Sequence, residues 1–243
     1  MAHPLLAPRK LARHLFVLLV IAGCVVAGFW QLDRLQQVRS YNAGVRRQLG
    51  EAAMPLGRVL PRGSAVDPAR VAFRRVAASG RYDDGDEVVL AGRTLGETPG
   101  NDLLTPLVLP DGRAIVVNRG WVPFSMDQPP VEQAAPPAGE VLVTGVLQAP
   151  DASSSAATAR VTVTTRVDLG RLSKQLPPRT LRVYLVLESQ APGQSGRLPR
   201  PQPLPTLDEG PHFSYAVQWF LFASVGVVGY PILLRREARG RPS

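Results

Sequence analysis

The sequence predicts an integral membrane protein in which two transmembrane α-helices flank a mainly antiparallel β (α+β) extracytoplasmic domain. Two uncharged apolar runs, Leu15–Trp30 and Phe213–Leu234, predict the helices. A bilayer core about 30 Å thick needs roughly 20 apolar residues in a helix. The residues between the two runs are instead rich in short β-branched stretches bounded by Gly, Pro and Asp, a pattern typical of strands.

The first apolar run reaches spanning length when it is extended to residues 11–32, and we interpret it as an uncleaved anchor. Two alternatives stay open. A short apolar run behind basic residues can be a cleaved signal peptide. Ile21–Cys24 also resembles a lipoprotein box, although a lipidated cysteine is usually followed by small polar residues, whereas Val25–Trp30 is apolar.

The net charge of +9 indicates topology rather than nucleic-acid binding. Basic residues stand next to both apolar runs: Arg9, Lys10, Arg13, Arg235, Arg236 and Arg239. The positive-inside rule then places the tails, residues 1–10 and 235–243, in the cytoplasm of a bacterial cell. It places residues 33–212 on the far side of the plasma membrane, with residues 213–234 as the second helix. Membrane lipid is therefore an expected partner, and nucleic acid is not, because its binding requires a basic face on the folded domain.

Seven strands are predicted between the helices from their β-branched residues: Ala72–Tyr82, Glu87–Leu95, Leu103–Leu109, Arg113–Val122, Glu140–Leu147, Val161–Val167 and Arg182–Glu188. Pro110–Gly112 predicts a hairpin turn, because Asp-Gly readily adopts positive φ. Leu169–Leu176 is expected to form a short helix, and Gln36–Leu49 to continue the first membrane helix. Three Pro-rich or Pro/Ala/Ser-rich stretches are expected to be loops: residues 127–139, 149–159 and 191–211.

The predicted β domain offers few groups for catalysis. Cys24 is the only cysteine and lies in the first apolar run, and His212 is the only histidine beyond His14. Ser-His, Cys-His and histidine-rich metal sites are therefore not available. This disfavours a membrane-tethered enzyme, and we expect no catalytic residue. The acidic stretch Asp83–Glu87 lacks the alternating spacing of a calcium loop, so a solvated turn is favoured over a Ca²⁺ site.

Phe29–Leu35 marks the outer end of the first helix. Trp30 suits an interface where its apolar body and its polar N–H are both accommodated, so an aromatic anchor explains it. A functional interpretation adds Gln31 and Arg34 as groups that could bind an anionic ligand or partner.

Val117–Pro123 places Gly120 inside a predicted strand. A glycine at such a position indicates a β-bulge or a close approach of another backbone.

The stretch His212–Phe220 opens the second helix. Gln218 lies six residues below His212, roughly 9 Å deeper at helical rise. A polar side chain inside a membrane helix is costly and tends to face a partner. Four residues share its face because they follow i, i+3, i+4, i+7 spacing: Tyr215, Gln218, Trp219 and Phe222. The partner of this face is either the first helix or a planar cofactor whose iron His212 would bind.

The three motifs Trp30–Leu35, Val117–Pro123 and His212–Phe220, with the large segment between them, resemble the Surfeit locus protein one family. Shorter matches extend the resemblance over nearly the whole chain: Gly80–Tyr82, Gly92-Arg93, Pro99-Gly100 and Leu104–Leu107. The chain departs from the family pattern at two places. Gln37-Val38 stands where relatives often have Trp-Lys, and Pro211 stands where a residue like Asn commonly precedes the histidine.

The resemblance implies an assembly factor for cytochrome c oxidase that acts in or near the delivery of haem a to the catalytic subunit. The enzymes of haem a synthesis are further candidate partners. His212 matches the family position of the expected axial iron ligand, and one such ligand suits a protein that must release its cargo. The other candidate cofactor-binding residues are Trp30, Arg34, Tyr215, Gln218 and Trp219, with Arg34 placed to pair with a propionate. The alternative is a membrane scaffold that stabilises an oxidase assembly intermediate without binding haem.

Overall fold

The computed structural model describes residues 8–63, 67–152, 156–204 and 206–239. Several predictions therefore fall partly outside the described residues. These are the N-terminal tail up to residue 7, positions 153–155 and 205 in two of the predicted loops, and the C-terminal tail from residue 240. The chain divides into two compact units, Met1–Gly44 with Thr206–Ser243, and Val45–Pro205.

Five α-helices are present in the described part of the chain: α1 (Pro8–Gly50), α2 (Leu56–Val59), α3 (Pro68–Val71), α4 (Leu169–Leu172) and α5 (His212–Arg239). α1 runs without interruption through Gln36–Leu49, which confirms the predicted continuation of the first helix. α4 ends at Leu172, four residues before the predicted Leu176.

α1 and α5 are each long and apolar enough to cross a membrane. Their large apolar side chains are mostly exposed, as at Leu15 (57%), Phe16 (66%) and Leu221 (59%). Soluble proteins rarely expose contiguous apolar surfaces larger than a few hundred Å². The surface of these two helices is therefore suited to lipid rather than to water or to the interior of a soluble domain.

Small residues line the contact between α1 and α5, which we call the seam. Ala216 and Ala223 of α5 are 1% and 5% exposed. A Cβ at Gly28 of α1 would lie 2.7 Å from the ring of Phe220, and Gly226 of α5 is as close to a side chain of α1. Membrane helices lack a hydrophobic drive to associate, so small residues that permit close packing commonly form their interfaces.

Polar contacts join the two helices at the end of the seam near the chain termini. The hydroxyl of Tyr230 lies 2.7 Å from Nδ1 of His14. Arg13 donates two hydrogen bonds to the carboxylate of Glu237, at 3.0 and 2.8 Å. This end of the helix pair is therefore held by polar side chains as well as by packing.

Eight strands make one mixed sheet in the second unit: β1 (Met54–Pro55), β2 (Arg75–Tyr82), β3 (Val88–Leu95), β4 (Thr98–Val108), β5 (Ala114–Pro123), β6 (Glu140–Gln148), β7 (Val163–Thr164) and β8 (Thr180–Ala191). Five of the pairings are antiparallel, and β1–β2, β3–β7 and β5–β8 are parallel. β2, β6, β8, β5 and β4 pair in succession, and β4 pairs again with β2, so these five strands close into a ring.

The hydrophobic core of this domain lies on both faces of β5. Ile115 and Val117 pack in the main cluster with residues of β2, β6 and β8. Val116, between them, points the other way into a cluster with β3, β4 and α4. Because successive residues of a strand face opposite sides, a strand buried on both sides has a continuous apolar run, as β5 does.

All seven predicted strands are present, with shifted ends. The largest shift is in β4, which begins at Thr98 rather than Leu103 because the chain turns at Gly96, with φ 61°, and pairs with β3 from Thr98 onward. β7 keeps only two residues of its predicted span, and the two-residue β1 was not predicted. The hairpin turn before β5 is confirmed by positive φ at Gly112.

The two features predicted for Gly120, a β-bulge and the close approach of another backbone segment, are both present. The pairing of β4 with β5 shifts so that Arg119 is an extra residue, a β-bulge. Gly120 has φ 120°, and a Cβ there would collide with the backbone carbonyl of Arg200. Arg200 and Trp121 exchange two backbone hydrogen bonds, at 2.7 and 2.8 Å. The bulge thus lets a distant segment approach the strand.

The bulged Arg119 is buried at 1% exposure and forms an ion pair of 3.0 Å with Glu87. Burial lowers the pKa of the Arg119 guanidinium, and the negative charge of Glu87 opposes that shift. The prediction of a solvated turn over Asp83–Glu87 is therefore wrong for Glu87, which is 3% exposed. Glu87 faces inward because it directly precedes β3, whose first residues are buried. Among the described residues, no group of three or more potential ligands could hold a metal ion there.

Candidate functional site

His212 begins α5 and lies beside Gln31 of α1, at the opposite end of the seam from His14. Its Nδ1 is 2.9 Å from Oε1 of Gln31. A carbonyl oxygen carries no hydrogen, so in this pairing Nδ1 must be the protonated nitrogen and the donor. Nε2 then has a free lone pair, and it has no hydrogen-bond partner among the described residues. A histidine whose other nitrogen is anchored in this way is the usual arrangement of a metal ligand.

The segment before α5 is tied to α1, and this fixes the position of His212. Asn42, which is 4% exposed, donates to the backbone carbonyl of Asp208 at 3.1 Å. Arg39 forms an ion pair with Glu209 at 2.9 Å. The carboxylate of Asp208 accepts a bond from the backbone N–H of Gly210, which closes a tight turn. The histidine therefore follows a turn that is bound to the first helix at two points.

Gly210 keeps the space beside the free nitrogen of His212 clear of side chains. It has φ 67°, and a Cβ at this position would lie 3.5 Å from Nε2. A left-handed conformation is readily available to glycine and costly for most other residues. The positive φ thus favours a glycine in this turn, and a Cβ here would lie in van der Waals contact with the candidate ligand atom.

The other predicted site residues lie along one flank of the helix pair. Phe29 and Phe220 contact each other edge to face, with ring centroids 5.3 Å apart, on one side of the seam. At about 100° per residue, the remaining candidates turn toward the opposite side: Trp30, Arg34, Tyr215, Gln218 and Trp219. All five are exposed, and the exposed fractions of the aromatic ones are 60% for Trp30, 47% for Tyr215 and 37% for Trp219. We call this surface the aromatic flank.

The position of the seam bears on which partner, the first helix or a planar cofactor, the face that contains Gln218 could meet. α1 packs against Ala216 and Ala223, not against that face. Gln218 is exposed and forms no hydrogen bond with any residue that the structure describes. The first helix therefore does not cover Gln218.

Arg34 has no acidic partner among the described residues. Its Nη1 donates to Oε1 of Gln37 at 3.2 Å, and Gln37 in turn donates to Asp33 at 2.8 Å. The guanidinium is exposed. The charge of Arg34 thus remains available to an anionic group. Gln37, one of the departures from the family pattern, accepts the hydrogen bond that orients this guanidinium.

These residues fit a haem. A haem has an iron that accepts an imidazole nitrogen, a flat apolar macrocycle and anionic propionates. The site supplies the lone pair of His212, exposed aromatic side chains and the unpaired charge of Arg34.

The role of Gln31 was missed, because it was grouped with Arg34 as a surface residue. A usable signal existed, since Gln31 follows Gly28 by three residues on the small-residue face of α1.

The β domain has a polar cleft of about 470 Å³ that contains none of the predicted site residues. Its buried carboxylate is Asp102, which accepts bonds from Asn118 at 2.8 Å and from Gln202 at 2.7 Å. Burial raises the pKa of Asp102, and these two amides oppose the shift. Both of its oxygens are satisfied within the protein, which is consistent with a structural role.

The chain is thus a mixed β domain flanked by two helices that could cross a membrane, with a histidine at the start of the second helix and no metal cluster among the described residues. The chain belongs to the SURF1 family, whose family model matches residues 18–224.

Relatives from distant organisms match long parts of the chain. A SURF1-like protein of Mycobacterium tuberculosis is 28% identical over 246 residues, which cover 98% of this chain and 88% of that protein. A SURF1-like protein of Rickettsia bellii is 27% identical over 228 residues, covering 91% and 90%. Surfeit locus protein 1 of Takifugu rubripes is 30% identical over 153 residues, covering 55% and 60%. The similarity to the two bacterial proteins thus includes both long helices and the β domain.

Proposed function

We propose that this protein is a biogenesis factor for cytochrome c oxidase that binds haem a transiently and assists its insertion into the catalytic subunit. Membership of the SURF1 family supports the general role. The observation that carries the haem proposal is the hydrogen bond between Nδ1 of His212 and Gln31, which leaves Nε2 free for iron. The protein performs no catalytic turnover in this proposal, and its partners are the oxidase catalytic subunit and, upstream, the enzymes of haem a synthesis.

The proposed location is the bacterial plasma membrane, with both termini in the cytoplasm. The basic residues beside both apolar runs support this orientation by the positive-inside rule. The exposed apolar surfaces of α1 and α5 support contact with lipid. In this orientation His212 lies at the outer face of the membrane, where α5 begins.

Each residue of the site has a distinct role in holding the cargo. When bound, haem a supplies an iron centre that accepts one nitrogen ligand from this chain. His212 provides that ligand, while Trp30, Tyr215 and Trp219 cover the macrocycle with apolar surface. Gln218 offers a polar contact deeper on the same flank, and Arg34 pairs with a propionate.

A single histidine ligand suits delivery better than two. His14 is bonded to Tyr230 at the other end of the seam, so it cannot supply a second ligand at this site. With one protein ligand, the cargo can be transferred when the recipient offers histidines of its own. The proposed site therefore binds through one coordinate bond and an open aromatic surface.

The first test is a visible absorption spectrum of the full-length protein, purified in detergent from cells that make haem a. We expect a stoichiometric haem a band in the wild type and its loss in His212→Ala. His14→Ala is the matched control, because it removes the other seam histidine, and it should retain the band. A colourless wild type would refute haem binding and favour the scaffold function, and a band retained in His212→Ala would assign the ligand to another residue.

A second test concerns Arg34. Arg34→Ala should lower haem affinity, and the difference from wild type should shrink as salt is raised, because exposed charge pairs are screened. An affinity that is unchanged at every salt concentration would refute pairing with a propionate.

A further inference from the structure

We infer that Gln31 is the positioning residue of His212, which holds the imidazole in the Nδ1–H form so that Nε2 is presented as the ligand. The inference rests on the proposed function and adds the residue that sets the strength of the ligand. It is carried by the contact of 2.9 Å between Oε1 of Gln31 and Nδ1 of His212.

The contact is selective because the ring has two different nitrogens. A neutral histidine free in water favours the Nε2–H form, which would have no lone pair on Nε2. A carbonyl oxygen held at Nδ1 reverses that preference, because it accepts a bond only from Nδ1–H. The tautomer able to bind iron through Nε2 therefore depends on Gln31.

Gln31 is placed by the packing of α1. It lies three residues after Gly28 and four before Leu35, and both of these residues are buried. Residues spaced by three and four share one helical face, so Gln31 belongs to the seam and is itself half-buried. In the described part of the chain, the side chain of Gln31 has no hydrogen-bond partner other than His212. Its amide is thus committed to this one contact.

The neutral amide also limits the strength of the ligand. Metal-binding histidines often donate to a carboxylate, which raises their basicity. An amide oxygen fixes the same tautomer but attracts the Nδ1 proton less strongly than a carboxylate does. His212 is therefore a weaker donor to iron than a histidine bonded to a carboxylate. For a protein that must give up its cargo, Gln31 thus provides orientation without making the coordinate bond too strong.

The first arm of the test needs no haem. Full-length protein labelled with ¹⁵N-histidine is studied in detergent by NMR at about pH 9, where imidazoles are neutral, and His212 is assigned with His212→Ala. We expect the Nδ1–H form in the wild type and the Nε2–H form in Gln31→Leu. An Nε2–H form in the wild type, or no change in Gln31→Leu, would overturn the inference.

The second arm uses hemin as the probe. Gln31→Leu should weaken hemin binding by about 10- to 100-fold, the usual effect of losing the partner of a ligating histidine. Gln31→Glu retains an acceptor, so it should bind at least as tightly as the wild type and shift the iron midpoint potential to a lower value. Gln36→Leu is the matched control on the exposed side of α1 and should behave as the wild type.

These readouts separate positioning from general damage. Loss of structure at Gln31 would weaken both Gln31→Leu and Gln31→Glu, whereas positioning predicts rescue by Gln31→Glu. If Gln31→Glu failed to restore binding, the inference would be wrong. If the wild type bound no hemin, the proposed function would fail, and the NMR arm would still decide whether Gln31 sets the tautomer.

Discussion

Replacing Arg119 with methionine should destabilise the β domain by about 3–5 kcal/mol, the typical cost of removing one partner of a buried ion pair. The Glu87 side chain that loses its cation is 1% exposed, so water cannot take the place of the guanidinium. Methionine fills a similar volume, and the change therefore tests charge more than packing.

The surroundings of the pair explain why the effect is large. Arg119 donates to Glu87 at 3.0 Å, to Gln194 at 3.1 Å and to the carbonyl of Ala134. Glu87 keeps only two neutral donors in the variant, the hydroxyl of Thr105 at 2.7 Å and the backbone N–H of Val131 at 3.0 Å. Both the uncompensated carboxylate and the orphaned carbonyl add to the cost.

The assay follows the β domain within the full-length chain. The three tryptophans are Trp30, Trp121 and Trp219, so changing the two helical ones to phenylalanine leaves Trp121, which is 6% exposed, as the reporter. For a unit of this size, 1 kcal/mol corresponds to about 2–4 °C in Tm, so we expect a decrease of about 6–20 °C. Arg81→Met, an exposed arginine on β2, is the control and should stay within about 0.5 kcal/mol of the wild type.

A double variant identifies the source of the loss. Adding Glu87→Gln to Arg119→Met removes the unpaired charge, keeps an amide oxygen as acceptor for the backbone N–H of Val131 and lets the amide NH2 donate to the hydroxyl of Thr105. The double variant should therefore recover at least about 1 kcal/mol. If Arg119→Met unfolded within 1 kcal/mol of the wild type, or if the double variant gained nothing, an uncompensated buried charge would not be the cause.

Two further predictions concern the bulge in β5 and the hairpin turn before it. Gly120→Ala should cost at least about 1–3 kcal/mol from positive φ alone and more from the clash with the carbonyl of Arg200, and a urea midpoint equal to that of the wild type would contradict this. Asp111 is partly desolvated, but its hydrogen bonds from Arg113 and Arg62 prevail and hold its pKa below 3.8. Its stabilising effect is therefore present above that pH and is lost as the pH falls through the lower folded value. Asp111→Asn should thus cost about 1–3 kcal/mol at neutral pH, with a smaller difference in urea unfolding at about pH 3, and a difference independent of pH would argue against the ion pair.

The sequence predicted the features that local chemistry determines. Stretches rich in β-branched residues located seven strands, Asp111-Gly112 located a hairpin, and Gly120 located a bulge, because each signal lies within a few residues. The pair of Glu87 with Arg119 was missed since its members are 32 positions apart. A charged residue in an acidic stretch resembles its solvated neighbours, and only the folded domain shows that Glu87, directly before the buried start of β3, faces inward.

The candidate site shows the same limit across a longer distance. Gln31 and His212 are separated by 181 positions, and each alone resembles a polar residue at the end of a membrane helix. Periodicity established that Tyr215, Gln218 and Trp219 share a face, but it could not identify what covers that face. α5 has two overlapping faces, one aromatic and polar and one with small residues, and both satisfy a helical period.

The choice between those two faces is decided by the physics of helix packing in lipid. The polar Gln218 suggested that its own face would meet either the first helix or a cofactor, because an unpaired amide in lipid is costly. Close approach of backbones instead favours small residues, and Gly28, Ala216 and Ala223 bring the helices together on the other face. The contact between helices therefore leaves Gln218 unpartnered on the aromatic flank, six residues and roughly 9 Å deeper than His212. An amide in that position still needs a partner, and in the proposed function that partner is the haem held by His212.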